Sequence, residues 1–429
     1  MSKSPNWLSL REAATSIASG ELTSASLVAA CLERIAEREG DVGAWEYLDP
    51  DMAIEAARRL DGQVPRGALH GIPIGVKDLI DTADMPSTYG SVLYKDHRPI
   101  ADAACVSAVK SAGAVVMGKT VTTEFAFFPP GKTANPVNLD YTPGGSSSGS
   151  AAAVADGMVP VAFGTQTNAS VTRPAAFCGV VGYKMSFGHF SMTGIKPFSP
   201  SLDTLGMFVR TVDDLPLMRS AMLGIADAPP RDAGAPSVAV CFTPEYGEPD
   251  TACTQRIDDV ARRFADAGAR VGTLQLPPVF GRLLEEQEKI LGFEAQQSFL
   301  YERDQGGQDV HPDFRQFLEE SRAITLADYL GALDYTQACR HALAQAREDF
   351  DILLTPGVFG EAPHGRDWTG SPLFCRIWTL LHLPTISLPA GSGPNGMPMG
   401  VQLVGRANRD EDLIAAASWA EATLARHAL

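Results

Sequence analysis

The run from Pro143 to Lys184, PGGSSSGSAAAVADGMVPVAFGTQTNASVTRPAAFCGVVGYK, gathers the residues of this chain best suited to chemistry. Glycine and serine crowd both ends of an apolar middle that carries few charges. Serine hydroxyls there act as nucleophiles or proton relays once a base reaches them. Small residues let a backbone approach a ligand closely and adopt dihedrals that others avoid. A flexible linker shares the Gly/Ser content but not the buried-type run MVPVAFG or the closing GVVGYK. The stretch therefore reads as the core of an active site.

Two short patterns point elsewhere and fail on context. Gly145 to Gly149 (GSSSG) fits G-x-S-x-G, the turn that presents a hydrolase serine, but that turn needs an apolar strand immediately before it and DYTPG precedes it here. Gly391 to Gly396 (GSGPNG) fits G-x-G-x-x-G, yet a dinucleotide site needs a helix to follow. MPMGVQLVG reads as a strand, so a hairpin loop is expected.

Three further elements complete a pattern. Lys77 lies in GIPIGVKDLIDT, Ser146 follows Gly144 and Gly145, and Ser170 ends TQTNAS. Lys77 and Ser146 are 69 residues apart, and Ser146 and Ser170 are 24 apart. With PAAFCGVVGYK, with SLDTLGMFVRTVDDL from Ser201 and with PMGVQLVG near the C-terminus, the chain resembles the amidase signature family. Within it, the spacing is similar to that of small bacterial amidases of the malonamidase type, and the resemblance spans nearly the whole length.

The resemblance implies hydrolysis of a small carboxylic amide by a Ser–cis-Ser–Lys triad. Lys77 is then the base, Ser146 the bridging serine on a cis peptide bond, and Ser170 the nucleophile that carries the acyl group. The chemistry suits these residue types. An amide is a poor electrophile whose leaving amine must be protonated, so one route has to remove a proton and return it. Lysine does this only when neutral, whereas a free lysine titrates near ~10.4; burial or a nearby cation lowers that value. Backbone N–H groups of Thr167, Asn168, Ala169 and Ser170 are expected to hold the oxyanion, and Gln166 is placed to order their loop.

Arg173, three residues past Ser170, matches an arginine that holds a substrate carboxylate in malonamidase-type relatives. A guanidinium binds a carboxylate bidentately; an internal salt bridge or cap is the other reading, and both stay open. Asp203, Thr204 and Arg210 read as structural. The family usually has two glycines where Asn168 and Ala169 stand. A positive φ at Ala169 would cost on the order of 1 kcal/mol, so a restricted or slow site is expected. Two alternatives remain: the glutaminase subunit of a tRNA-dependent amidotransferase, and a catalytically impaired relative. The acidic balance and the shorter chain count against the first.

The rest of the chain must position these residues. Helical spacing is evident from Ser24 to Glu39, from Asp51 to Leu60 and from Arg409 to about Arg426, and buried-type strands alternate with helices throughout. The expected fold is α/β, a single α/β/α domain over 1–429 with a central mixed β-sheet covered by helices on both faces. A catalytic core is expected at about 65–215 and a variable, substrate-shaping segment at about 230–350.

The 429 residues carry a net charge of −16, which disfavours nucleic acid as a partner. No apolar run is long enough for a membrane helix, and no signal-peptide pattern opens the chain. Seven scattered cysteines without a C-x-x-C pair fit a reducing, cytoplasmic setting rather than disulfides or zinc. No metal or organic cofactor is expected. The implied partners are a small-molecule amide substrate and, from the resemblance, a second copy in a homodimer.

Overall fold

The computed structural model describes residues 4–127, 129–232, 234–243 and 250–426. Its frame is an 11-stranded mixed sheet. In chain order the strands are β1 (Trp45–Leu48), β2 (Pro73–Lys77), β3 (Val115–Thr120), β4 (Val161–Gln166), β5 (Val181–Lys184), β6 (Thr204–Val209), β7 (Ser237–Val240), β8 (Arg270–Thr273), β9 (Ile352–Pro356), β10 (Thr385–Ser392) and β11 (Pro398–Val404). Across the sheet they run β1-β3-β2-β4-β6-β5-β10-β11-β9-β7-β8. β2 pairs parallel with β3 and β4, and β7 pairs parallel with β8 and β9. The other pairings are antiparallel.

Every residue of β2 to β6 is buried. Successive strand residues face opposite sides, so both faces of this half are covered, as the apolar runs required. The edge strands β1 and β8 mix exposed and half-buried positions instead, apart from the buried Trp45. The GSGPNG run turns β10 back onto β11 as an antiparallel hairpin.

Helix boundaries follow their caps. The first long helix runs Ser24–Val42, past the expected Glu39, because it stops at Gly43 in the left-handed region. The next runs Pro50–Asp61, with Asp49 rather than Asp51 at the N-cap. In the expected variable segment, Ala233 and residues 244–249 lie outside the described residues. The rest of it supplies helices Leu283–Ser298, Pro312–Ser321 and Leu326–Ala346. They enclose a second apolar core around Phe299, Phe314 and Trp378, which reaches Phe125 and Phe198.

The serine-rich stretch owes its composition to crowding. The helix Ser148–Ala155 packs on β2, β3, β4 and β6 and on the helix Thr172–Cys178, and all but its last residue are buried. A Cβ at Gly149 would lie 2.2 Å from Ala44 O and 2.4 Å from Val121 N. Only glycine fits there.

Candidate active site

Lys77 ends β2, and parallel pairing with β4 sets it beside Thr165. Its Nζ lies 3.0 Å from Thr165 Oγ1 and 2.7 Å from Ser146 Oγ. Ser146 arrives on a loop in which Gly144 takes φ +80° and the Gly145–Ser146 peptide is cis. The Ser146 carbonyl accepts the Thr123 N–H at 3.2 Å. Lys77 is fully buried and Ser146 nearly so.

Among the described residues three lysines are completely buried, and their partners separate them. Lys119 also donates to Ser87 Oγ and the Pro86 carbonyl, but it sits 2.8 Å from the buried Asp78 carboxylate as an ion pair. Lys184 donates to the carbonyls of Met185 and Leu383, and burial lowers it to about 7. Lys77 faces two hydroxyls. A carbonyl only accepts, whereas a hydroxyl also donates, so a neutral amine at Lys77 can take a proton from its neighbour. Burial, reinforced by the Arg173 cation, holds Lys77 well below the usual lysine range; nearby Asp203 opposes the shift.

Ser170 follows β4 in a tight loop. Gln166 organises that loop: its Oε1 accepts the N–H groups of Val171 at 2.9 Å and Thr172 at 3.0 Å, and its Nε2 donates to Thr379 Oγ1. Thr379 Oγ1 in turn donates to the Asn168 carbonyl at 3.1 Å. The Thr167 hydroxyl donates to Asp203 at 2.6 Å. Among the described residues, the N–H groups of Asn168, Ala169 and Ser170 meet no protein acceptor. They are therefore free to bind a developing oxyanion. The Ser170 hydroxyl makes no hydrogen bond among the described residues either. The Lys77–Ser146 link is thus formed and the Ser146–Ser170 link is not, a looseness common in sites without substrate.

Asn168 and Ala169 carry no positive φ. The expected backbone cost at Ala169 is absent because the loop never enters the left-handed region. Asn168 has acquired a use instead, since its Oδ1 accepts from Gln287 Nε2 at 2.7 Å. Gln287 is fully buried on the helix Leu283–Ser298 and accepts from Arg376 Nε through its own Oε1.

Arg173 is turned inward. Nε and Nη2 donate to the Gly145 carbonyl at 3.2 and 2.6 Å, and Nη1 donates to the Gly370 carbonyl. One bidentate edge is therefore occupied by the Gly145 carbonyl, which favours the internal reading over a carboxylate clamp. Asp203 goes beyond a purely structural role. It accepts Phe198 N at 2.7 Å and Ser199 N at 3.0 Å besides Thr167, and burial raises its carboxyl to about 6. Arg210 is structural, donating to the carbonyls of Val159, Asn6 and Leu8.

Sequence reasoning missed Thr165, Thr123, Thr369, Thr379 and Gln287. Thr123 and Thr369 flank Gly145, and their buried hydroxyls find no partner among the described residues. A threonine near the end of a strand carries no local signal, and Gln287 is distant in sequence.

Residues 26–414 match the family described as Amidase. The chain belongs to the amidase signature family. Among curated relatives, a glutamyl-tRNA(Gln) amidotransferase subunit from Symbiobacterium thermophilum is 31% identical, with 95% of each chain covered. Among solved structures, one described as an amidase superposes with a TM-score of 0.88 at 30% identity, covering 97% of this chain and 99% of that one. The peptide amidase of Stenotrophomonas maltophilia superposes at 0.85 and 28% identity, covering 98% and 97%. The alignment with that amidotransferase subunit extends over 466 residues, more than the 429 of this chain.

Proposed function

We propose that this protein hydrolyses the C–N bond of a carboxylic amide through an acyl-enzyme on Ser170. Neutral Lys77 takes a proton from Ser146, Ser146 takes one from Ser170, and Ser170 attacks the carbonyl. The relay returns the proton to the leaving nitrogen, and water releases the acid by the same path in reverse. The N–H groups of Asn168 to Ser170 stabilise the oxyanion. The single observation that carries this reading is a fully buried Lys77 whose partners are two hydroxyls, one of them the serine of a cis peptide.

The test is ammonia release from a panel of small amides, run beside Ser170→Ala and fluorophosphonate labelling. Wild type is expected to turn over and to label at Ser170. Ser170→Ala should lose on the order of 10³-fold or more in kcat. A folded protein that neither labels nor releases ammonia is instead the impaired relative.

The relatedness to an amidotransferase component supports a second reading, in which the amide is glutamine and the ammonia passes to a partner protein. Glutamine turnover that rises with added tRNA, or partner proteins that co-purify, would favour it. A homodimer in the cytoplasm belongs with the first reading and is checked by light scattering.

A further inference from the structure

Three arginines are buried among the described residues, and one of them holds nothing. Arg173 donates to the carbonyls of Gly145 and Gly370, and Arg347 to those of Gly405, Val404 and Asp351. Arg219, 6% exposed on the helix Asp214–Leu223, makes no hydrogen bond or ion pair among the described residues. A guanidinium keeps its charge in proteins, and a buried charge without a partner is strongly destabilising.

Beside Arg219 lies a cavity of about 200 Å³, formed where its helix, residues 225–231 and the helix Asp410–Ala425 meet. Ile225, Ala226, Ile414, Arg231 and Glu411 line it with Arg219. The other acids on these segments are engaged. Asp227 accepts from Arg11 at 2.9 and 3.1 Å, and Asp412 pairs with Arg231 and Arg409. The buried Asp410 holds Tyr183, Ser186 and His189. Glu411 is exposed and forms no ion pair among the described residues. An engineered apolar cavity of about 150 Å³ takes up benzene, so this one has room for a body of about six to eight carbons.

We infer that the cavity is a binding site for a small monocarboxylate, its carboxylate paired with Arg219 and its apolar body set against Ile225 and Ile414. The planar fork of a guanidinium matches a carboxylate, and apolar walls disfavour a strongly hydrated anion such as phosphate. The net charge of −16 opposes anions at long range, but contact with a buried cation is screened little. None of the lining residues belongs to the catalytic loops, so the inference stands apart from the amidase reading.

The experiment is calorimetric titration with cyclohexanecarboxylate, acetate, inorganic phosphate and the neutral cyclohexylmethanol. It is run on wild type, Arg219→Met and Ala226→Trp, the last plugging the exposed rim with the guanidinium intact. Cyclohexanecarboxylate should bind about tenfold or more tighter than each of the other three. Both variants should weaken it by about tenfold or more and leave amide turnover unchanged, which separates this site from product binding at Ser170. Without ligand, Arg219→Met should melt above wild type because an unpaired buried charge is gone. Saturating cyclohexanecarboxylate should reverse that order. Glu411→Gln should bind as tightly as wild type or tighter.

No binding, the alcohol binding as tightly as the acid, or affinity unchanged in Arg219→Met would overturn the site. So would a ligand-free wild type more stable than Arg219→Met, which would mean that Arg219 already has a partner. Binding seen only in Glu411→Gln would overturn it as well, by showing that Glu411 fills the place. Failure of the amidase reading is read separately, as absent turnover and labelling with the titration unaffected.

Discussion

Lys77 gains a base's properties from what surrounds it, and that can be measured. Its depressed proton affinity means that the neutral amine is present above the folded pKa and lost as pH falls through it. The rate should therefore rise with pH along a single acid limb that levels off below the usual lysine range. Arg173 lowers Lys77 and Asp203 raises it. Arg173→Gln should accordingly shift the limb to higher pH, and Asp203→Asn to lower pH. A kcat/KM profile over about pH 5 to 10 checks both directions; shifts of the same sign would contradict the electrostatic account. Stability follows the same linkage. A lysine that binds its proton less tightly when folded destabilises the fold increasingly as pH drops below its unfolded value. Lys77→Met should thus lose on the order of 10³-fold or more in activity yet melt at a higher temperature than wild type at about pH 7. Sites of this kind trade stability for function.

At the scale of elements, the loop after β4 is fixed from outside itself. The helix Leu373–Leu380 holds it through Thr379, and the helix Leu283–Ser298 holds it through Gln287. The sequence announced Lys77, Ser146 and Ser170 because a short, spaced pattern surrounds each. It could not announce Gln287, whose bond to Asn168 spans 119 residues and depends on how a helix docks. The strain expected at Ala169 failed for a related reason: backbone dihedrals are set by the loop as folded, and this loop keeps both residues out of the left-handed region. If Asn168 is a strut, Asn168→Gly and Gln287→Leu should each lower kcat with little change in KM, and their effects should be non-additive in a double-mutant cycle. Full additivity would show that the contact does not position the loop. Ala169→Gly tests the complementary point. With φ negative, glycine only adds unfolded-state freedom, so a loss of about 0.5 to 1 kcal/mol in urea unfolding is expected.

At the scale of the whole molecule, alternating buried strands and helices made the α/β class legible, and the helices expected at 24–39, 51–60 and 409–426 fall within a few residues of those observed. The strand order was not legible. β5 pairs with β10 across about 200 residues, and β9 is inserted between β7 and β11; non-local pairing of this kind leaves no periodic trace. Charge is the other global property, and it bears on what the enzyme can collect. A chain carrying −16 repels anions over the Debye length, which is about 30 Å at 0.01 M salt and about 8 Å at 0.15 M. A carboxylate-bearing amide must cross that field, whereas a neutral aryl amide does not feel it. Raising the salt from about 0.01 to 0.15 M should therefore increase kcat/KM for malonamate about two- to fivefold and leave that for phenylacetamide flat. A flat malonamate profile would mean that the field at the entrance is not negative despite the net charge.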